Sequence, residues 1–353
     1  MTRREIFRTE GLPVLQNRVF ATAVEALASA TGDVVLVQDL DTGLVFNAAF
    51  HSERLEYDQN YQNEQACSGV FKTHLDAVAQ VIRRHFHDRS LIEVGCGKGY
   101  FLDHLQTQGY DITGIDPAYE GDNPGVVRAR FERGLGLSAE AVILRHVLEH
   151  VPDPLSFLSS IADANAGRGD IYIEVPCFDW ICRRRAWFDV FYEHVNYFRA
   201  TDFRRMFGTI RESGYLFGGQ YLYLVAELAS LRSPRFDQSC VLDFPADFLE
   251  GINRLASIAG SARGNAIWGA ASKGVVFAVY MKRIGAGFEF VIDINPVKHG
   301  KYLAVSGLRV LPPDEAMRLL QPGDNIFVMN SNYLDEIVDQ SRNQFHYCKV
   351  DHE

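Results

Sequence analysis

One segment, Leu91-Ile92-Glu93-Val94-Gly95-Cys96-Gly97-Lys98-Gly99-Tyr100, constrains the fold more than any other. Leu91 to Val94 reads as a short buried strand, the glycines as a sharp turn, and Tyr100 to Leu105 as the start of a helix. Glycine is required where a backbone must bend and approach a ligand with no Cβ in the way. A helix that starts there points unpaired N–H groups and a positive dipole end at whatever binds. Further on, Asp111-Ile112-Thr113-Gly114-Ile115-Asp116 reads as a second strand ending in a carboxylate, which suits a ribose diol. Strand, turn, helix, strand and terminal acid outline the first half of a doubly wound, Rossmann-like nucleotide-binding sheet.

Alternation of strand and helix signals carries this α/β pattern onward. Phe71 to Phe86 is predicted as a helix with Phe71, Leu75, Val78, Ile82 and Phe86 on one face. Val126 to Ala129, Ala141 to Leu144 and Asp170 to Pro176 read as further strands, with a helix from Leu155 to Ala164. A helix is expected from Thr201 to Ser213, capped by Thr201, and the last strands of the sheet from Tyr215 to Leu228. Ahead of this unit, Arg18 to Ala30 has helical spacing, and Asp33 to Gln38 and Leu44 to Asn47 form two strands across a turn. Tyr57 to Gln65 is polar and aromatic, without periodicity. Beyond a linker at Ser230 to Phe244, the strand Ala266 to Trp268, the turn Gly269-Ala270-Ala271-Ser272-Lys273-Gly274, and the strands Phe288 to Asp293 and Asn325 to Asn330 repeat the first layout. The expected division is a small N-terminal α+β piece at 1–68, a nucleotide-binding unit at 69–232 and a second Rossmann-like unit at 233–353.

The glycine spacing is G-x-G-x-G, preceded by Glu93 on the strand itself. A dinucleotide site spaces its glycines G-x-G-x-x-G and aims the helix at a pyrophosphate. A carboxylate beside the turn repels a pyrophosphate and suits an ammonium or sulfonium instead. This E-x-G-x-G-x-G pattern resembles motif I of the class I S-adenosylmethionine methyltransferases. The resemblance implies S-adenosyl-L-methionine as cofactor and S-adenosyl-L-homocysteine as product. Its expected contacts are Glu93, Gly95, Cys96, Gly97, Gly99, Asp116, Pro117, Phe131, Arg145 and His146.

Composition excludes several classes. The net charge of −10 argues against general nucleic-acid binding, which leaves a basic footprint. No apolar run is long enough to span a membrane, and no apolar h-region follows Met1-Thr2-Arg3-Arg4. The six cysteines form no C-x-x-C pair, so neither zinc nor a disulfide framework is indicated. A cytoplasmic protein, monomeric or homodimeric, with no metal is expected.

Methyl transfer from a sulfonium requires an acceptor in line and a group to take its proton. Such a base is expected in the aromatic-dense stretch from Cys177 to Phe198, which follows a strand's C-terminal end, where doubly wound sheets bind ligands. His194, flanked by Glu193, is the candidate, since histidine titrates near neutrality and a carboxylate can orient its ring. A histidine merely packed between Tyr192 and Tyr197 is the alternative. Tyr61 is read either as a second acid or base or as a wall of the pocket. His146 and His150, four apart around Glu149, lack the H-E-x-x-H order of a zinc pair and are expected to line the cofactor pocket. Arg183 to Arg185 could clamp a diphosphate or be a solvated face, and Lys273 could meet an anionic group of a substrate.

Taken together, Glu93-Val94-Gly95-Cys96-Gly97-Lys98-Gly99, His146-Val147-Leu148-Glu149-His150, Glu174-Val175-Pro176, Tyr192-Glu193-His194-Val195-Asn196-Tyr197-Phe198 and the turn Gly269 to Gly274 with Asn330 resemble the sugar C-methyltransferases, which act on nucleotide-linked keto-deoxysugars. The resemblance covers most of the chain. It implies that His194 removes a proton from the carbon beside a keto group, assisted by Tyr61. It also implies that a small-molecule substrate, a nucleotide-sugar, lies between the two larger units against Tyr192, Asn196, Arg183, Lys273 and Asn330. Members of that family begin with a small zinc domain holding four cysteines. Here Asp39 and Thr42 stand where one C-x-x-C pair would fall, and the other pair is missing. O- or N-methylation of a surface-glycan or natural-product precursor is the competing expectation.

Overall fold

The computed structural model describes residues 2–55, 61–62, 66–261 and 263–351. Most of the polar run Tyr57 to Gln65 lies outside the described residues. At the centre is a seven-stranded sheet of β1 (Leu91–Val94), β2 (Ile112–Ile115), β3 (Val126–Val127), β4 (Ala141–Arg145), β5 (Asp170–Pro176), β6 (Ile210–Leu216) and β7 (Tyr221–Glu227). Their spatial order is 3-2-1-4-5-7-6. The first five are parallel. β7 runs antiparallel to β5, with Tyr221 opposite Pro176, and β6 antiparallel to β7. All four residues of β1 are buried, as a strand covered on both faces requires.

One face carries the helix Gly69–Phe86, whose Phe71, Leu75, Val78, Ile82 and Phe86 pack with Phe101, Leu102 and Leu105. Ser68 Oγ caps that helix by accepting from the N–H groups of Val70 and Phe71. The other face is covered by Pro154–Ala164 through Leu158 and Ile161.

Three sequence expectations are corrected. The helix after the aromatic stretch spans only Ala200–Met206 and is capped at Arg199, where Asp202 Oδ2 accepts from the backbone N–H. Its expected second half is β6, because pairing with β7 wins over helical spacing. Between Arg18 and Ala30, only Ala23–Leu27 is helical, since Val19–Phe20 pairs with Tyr302–Leu303. The stretch 230–244 is no free linker: Gln38 Nε2 donates to the Cys240 carbonyl at 2.7 Å, and Arg199 Nη1 donates to the same oxygen at 3.0 Å.

An unexpected strand, Arg3–Pro13, pairs antiparallel with Thr31–Asp39, which pairs with Val45–Asn47. The fourth strand of this N-terminal sheet is Asn196–Tyr197, from the aromatic stretch. Where a C-x-x-C pair would fall, Asp39 Oδ1 accepts from the N–H groups of Asp41 and Thr42, and Arg199 donates to the Gly43 carbonyl.

The C-terminal unit is a parallel five-stranded sheet ordered Val310–Leu311, Phe290–Ile292, Asn265–Trp268, Asn325–Val328 and His346–Lys349. Its helix Ser272–Arg283 packs on the aromatic stretch, with Trp187 stacked on Phe277 at 5.8 Å and edge-on to Tyr280 at 4.8 Å. Residues 177–198 therefore join all three units. Among the described residues, no helix is long and apolar enough to cross a membrane.

Candidate active site

A cavity of about 380 Å³ opens where the three units meet. The N-terminal piece contributes Asn17 and Tyr61, and the central sheet contributes Glu93, Gly95 to Lys98, Arg145, His146, Glu149, His150 and His194. The C-terminal unit contributes Gly269, Ser272, Lys273, Asp293 and Asn330. Both glycine-rich turns thus face one space, each at the C-terminal end of its sheet's strands, where open α/β sheets hold ligands.

The first turn is shaped by steric necessity. Gly95 has φ +76°, and a Cβ there would sit 2.3 Å from Val147 Cγ2. The turn is pinned by the Gly95 N–H to the Ile115 carbonyl at 2.7 Å and by the Gly97 N–H to Asp116 Oδ2 at 2.8 Å. Beside it, Glu93 is 2% exposed, and its Oε2 accepts no hydrogen bond from any described residue. Burial pushes the Glu93 carboxyl up to about 7, against only partial compensation from the Arg145 guanidinium. Burial also pushes the Cys96 thiol well up, so it is no thiolate nucleophile.

Beneath the cavity lies a buried polar cluster around Glu174. Its Oε2 accepts from Tyr172 OH at 2.7 Å, and its Oε1 lies 3.1 Å from His74 Nε2, 3.0 Å from His146 Nε2 and 3.6 Å from Arg145 Nη2. Burial opposes ionisation of Glu174, but Arg145, His146 and His74 outweigh it and hold the carboxyl well below its usual range. His146, held at φ +53°, stands between Glu174 and Glu149, with Nδ1 3.3 Å from Glu149 Oε1. Burial alone would lower its pKa; the two carboxylates prevail and raise it to about 9.

His194 is 7% exposed, with its ring against Phe191 at 3.9 Å between centroids and edge-on to His150 at 4.9 Å. Burial, then the nearby His150, His146 and Lys273, hold it well below the usual histidine value. It is a neutral imidazole at neutral pH, able to accept a proton. Glu193 does not orient this ring, contrary to the sequence expectation. Its Oε1 accepts from the Gln16 N–H at 2.6 Å and its Oε2 from Tyr61 OH at 2.7 Å, so the carboxylate clamps the N-terminal piece. Asn17 extends the clamp by donating to Ser272 Oγ at 3.1 Å.

Other expected site residues fall outside the cavity lining. Tyr192 OH accepts from the His51 N–H at 2.9 Å, and the Tyr192 ring packs over Gly32, where a Cβ would come within 2.4 Å. Asn196 donates to the Val151 carbonyl at 2.7 Å. Arg183 is exposed, and Phe131 packs edge-on against Phe157. Asp116 supports the turn from outside; Gly99 caps the helix Tyr100–Thr107, and Pro117 is exposed. Lys273 and Asn330 do line the cavity. Lys273 Nζ donates to Gln220 Oε1 at 2.7 Å and lies 3.1 Å from Asp189 Oδ2, and Asn330 exchanges two hydrogen bonds with Gln220. Asn17 and Asp189, which line the cavity, and Gln220, which holds Lys273 and Asn330, carried no sequence signal, being brought together by packing of distant segments.

An open glycine turn and a buried carboxylate whose Oε2 is unpaired among the described residues fit a cofactor that brings an ammonium group, as S-adenosylmethionine does. Glu93, Gly95, Cys96 and Gly97 would hold it, and when bound it supplies an electrophilic methyl group.

Two family models match the chain: a methyltransferase domain over residues 61–210 and a C-methyltransferase C-terminal domain over residues 250–347. Over 91 residues the chain is 31% identical to a ubiquinone biosynthesis O-methyltransferase of Colwellia psychrerythraea; this covers 21% of this chain but only 37% of that protein. Among solved structures, the PH0226 protein of Pyrococcus horikoshii aligns with 49% of this chain and 99% of its own at 10% identity and TM-score 0.36. An S-adenosylmethionine-dependent methyltransferase of Mesorhizobium loti aligns with 45% of this chain and 99% of its own at 12% identity and TM-score 0.35. With the strand order, the Glu93 turn and the two matched domains in agreement, the chain belongs to the class I S-adenosylmethionine-dependent methyltransferases and resembles their sugar C-methyltransferases.

Proposed function

We propose that this protein transfers a methyl group from S-adenosylmethionine to a carbon beside the keto group of a nucleotide-linked deoxysugar, with His194 as general base. The observation that carries the reading is the neutral, buried His194 imidazole in the cavity that both glycine turns share. The match of residues 250–347 to a C-methyltransferase C-terminal domain supports carbon as the acceptor.

The acceptor would lie between the Glu93 turn and Lys273, with its keto-bearing carbons toward His194. His194 takes the α-proton onto its free ring nitrogen, and the electron pair left on the carbon is shared with the carbonyl oxygen. That carbon's electron pair then forms its bond to the methyl group as the methyl–sulfur bond breaks, its electron pair staying on the sulfur of the departing S-adenosylhomocysteine. The Tyr61–Glu193 pair holds the N-terminal piece over the site and excludes water. Deuterium exchange at the substrate α-carbon in heavy water, with S-adenosylhomocysteine bound and no methyl donor, tests the step. Exchange is expected with one class of nucleoside-diphosphate keto-sugar and should fall by about 10³-fold in His194→Gln, with S-adenosylhomocysteine affinity changed only a few-fold. Methylation of a hydroxyl or amine with no exchange would replace this reading with O- or N-methylation. Full turnover in His194→Gln would remove the base.

A further inference from the structure

We infer that Glu149, and not the adjacent Glu193, is the carboxylate that positions the His194 imidazole and balances the charge it takes up with the proton. The inference rests on the reading of His194 as base and deepens it.

The backbone brings the two side chains together. The turn 148–151 and the segment 193–196 are joined by the Val195 N–H to the Glu149 carbonyl at 2.8 Å and by Asn196 Nδ2 to the Leu148 and Val151 carbonyls at 3.3 and 2.7 Å. His150 Nδ1 meets the Glu193 carbonyl at 3.0 Å. As a result, polar atoms of Glu149, His150 and His194 lie within 4.8 Å of one another at the cavity wall, a gap that one water or a small side-chain rotation closes.

Glu149 is 1% exposed; its Oε1 lies 3.3 Å from His146 Nδ1, and its Oε2 accepts no hydrogen bond from any described residue. A buried carboxylate with no hydrogen-bond donor is costly unless a cation compensates it. His146 stands at ion-pair distance on one side, but Glu174 shares its charge. His194 lies close by as well, and its remaining surroundings oppose protonation: burial, the His150 and His146 rings, Lys273 across the cavity and the apolar rings of Phe191 and Tyr197. Glu193, the carboxylate next in sequence, has both oxygens occupied by Gln16 and Tyr61. Glu149 is therefore the carboxylate placed to stabilise imidazolium, and it acts through His194 as a positioning residue.

The test compares wild type with Glu149→Gln and Glu149→Asp. In Glu149→Gln the α-proton exchange rate should fall about 30-fold at pH 7.5, with substrate KM and S-adenosylhomocysteine Kd within about two-fold. Because the carboxylate stabilises the protonated ring, its loss lowers the basicity of His194, and the acid limb of the exchange profile should move to lower pH. Glu149→Asp should recover part of the rate. An unmoved acid limb, or a loss carried by S-adenosylhomocysteine affinity, would make Glu149 merely structural and overturn the inference. So would loss of exchange in chelator with recovery on adding Mn²⁺ or Zn²⁺, which would assign the three residues to a metal. A readout free of the acceptor is the NMR titration of the His194 ring with S-adenosylhomocysteine bound. A lower midpoint in Glu149→Gln than in wild type supports the inference even if no keto-sugar proves to be a substrate; an equal midpoint, or a ring that stays neutral throughout in both proteins, ends it.

Discussion

Two glycine turns face each other across the cavity, and they resolve the same electrostatic problem differently. Each follows a buried parallel strand, opens a helix and has an acid close by. At the second turn the acid is satisfied from within. Asp293 accepts from the N–H groups of Ala270 and Asn295 at 2.7 and 2.8 Å, and the buried Lys298 stands 3.5 Å away. Asp189 is likewise matched by Lys273. At the first turn Glu93 Oε2 accepts no hydrogen bond from any described residue, and burial, against partial compensation from Arg145, pushes the carboxyl up to about 7. One turn is complete without a ligand, whereas at the other Arg145 compensates the buried Glu93 only in part, which leaves a place for a ligand's cation. The first site should therefore respond to its ligand in charge and stability, and the second in geometry.

The comparison breaks most sharply at glycine. At Gly274 a Cβ would lie 1.8 Å from the Gly269 carbonyl oxygen, a contact between two backbones that no side-chain rotation relieves. Gly274→Ala should unfold the C-terminal turn and lower the melting temperature by about 10 °C or more. At Gly95 the same change meets a positive φ and the end of the Val147 side chain. Gly95→Ala should weaken S-adenosylhomocysteine binding at least about 100-fold by calorimetry while keeping most of the thermal stability. If Gly95→Ala costs the fold as much as Gly274→Ala does, the first turn is a structural element rather than a ligand cradle.

Glu93→Gln comes next in size. The neutral amide fills the same space without asking for a counterion, so the unliganded protein should be as stable as wild type or more so. S-adenosylhomocysteine, whose amino group is cationic, should bind about 10-fold more weakly. Equal affinity in the two proteins would mean that the carboxylate faces something else.

The sequence made the central sheet legible because short apolar runs between glycines can be little else. β1, β2, β4 and β5 have near-continuous burial, and Asn265–Trp268 repeats the pattern. The N-terminal strand Arg3–Pro13 is opaque because its exposed positions are charged and its paired residues, from Pro13 with Thr31 to Arg3 with Asp39, are far apart in the chain. Tyr192 and Asn196 lie off the cavity lining for a related reason. Aromatic density next to a histidine suggests a pocket wall, but a two-residue strand at Asn196–Tyr197 ties this stretch into the N-terminal sheet and turns alternate side chains away from the cavity. Adjacency also favoured Glu193 over Glu149 as the partner of His194. Only the folded pairing of 148–151 with 193–196 shows that Glu149 also lies beside the ring.

The smallest expected effect, a pH dependence, separates the first turn from the polar cluster beneath it. A carboxyl at about 7 in the fold and near 4.5 when unfolded binds its proton more tightly in the native state. Its contribution to stability is present below pH 4.5 and is lost as pH rises through 7. His146, raised to about 9 from its ordinary 6.5, has the same sign: its contribution is present below pH 6.5 and is lost as pH rises through 9. The melting temperature of the unliganded protein should therefore fall in two stages, between pH 5 and 7 and again toward pH 9, by about 5 °C at each. Saturating S-adenosylhomocysteine gives the Glu93 carboxylate its cation, so it should flatten the first stage and leave the second. Glu93→Gln should flatten the first stage with no ligand present. If the ligand removed both stages together, Glu93 and the Glu174–His146–Glu149 cluster would titrate as one unit, and the first turn would owe its charge state to the cluster beneath it rather than to its own missing partner.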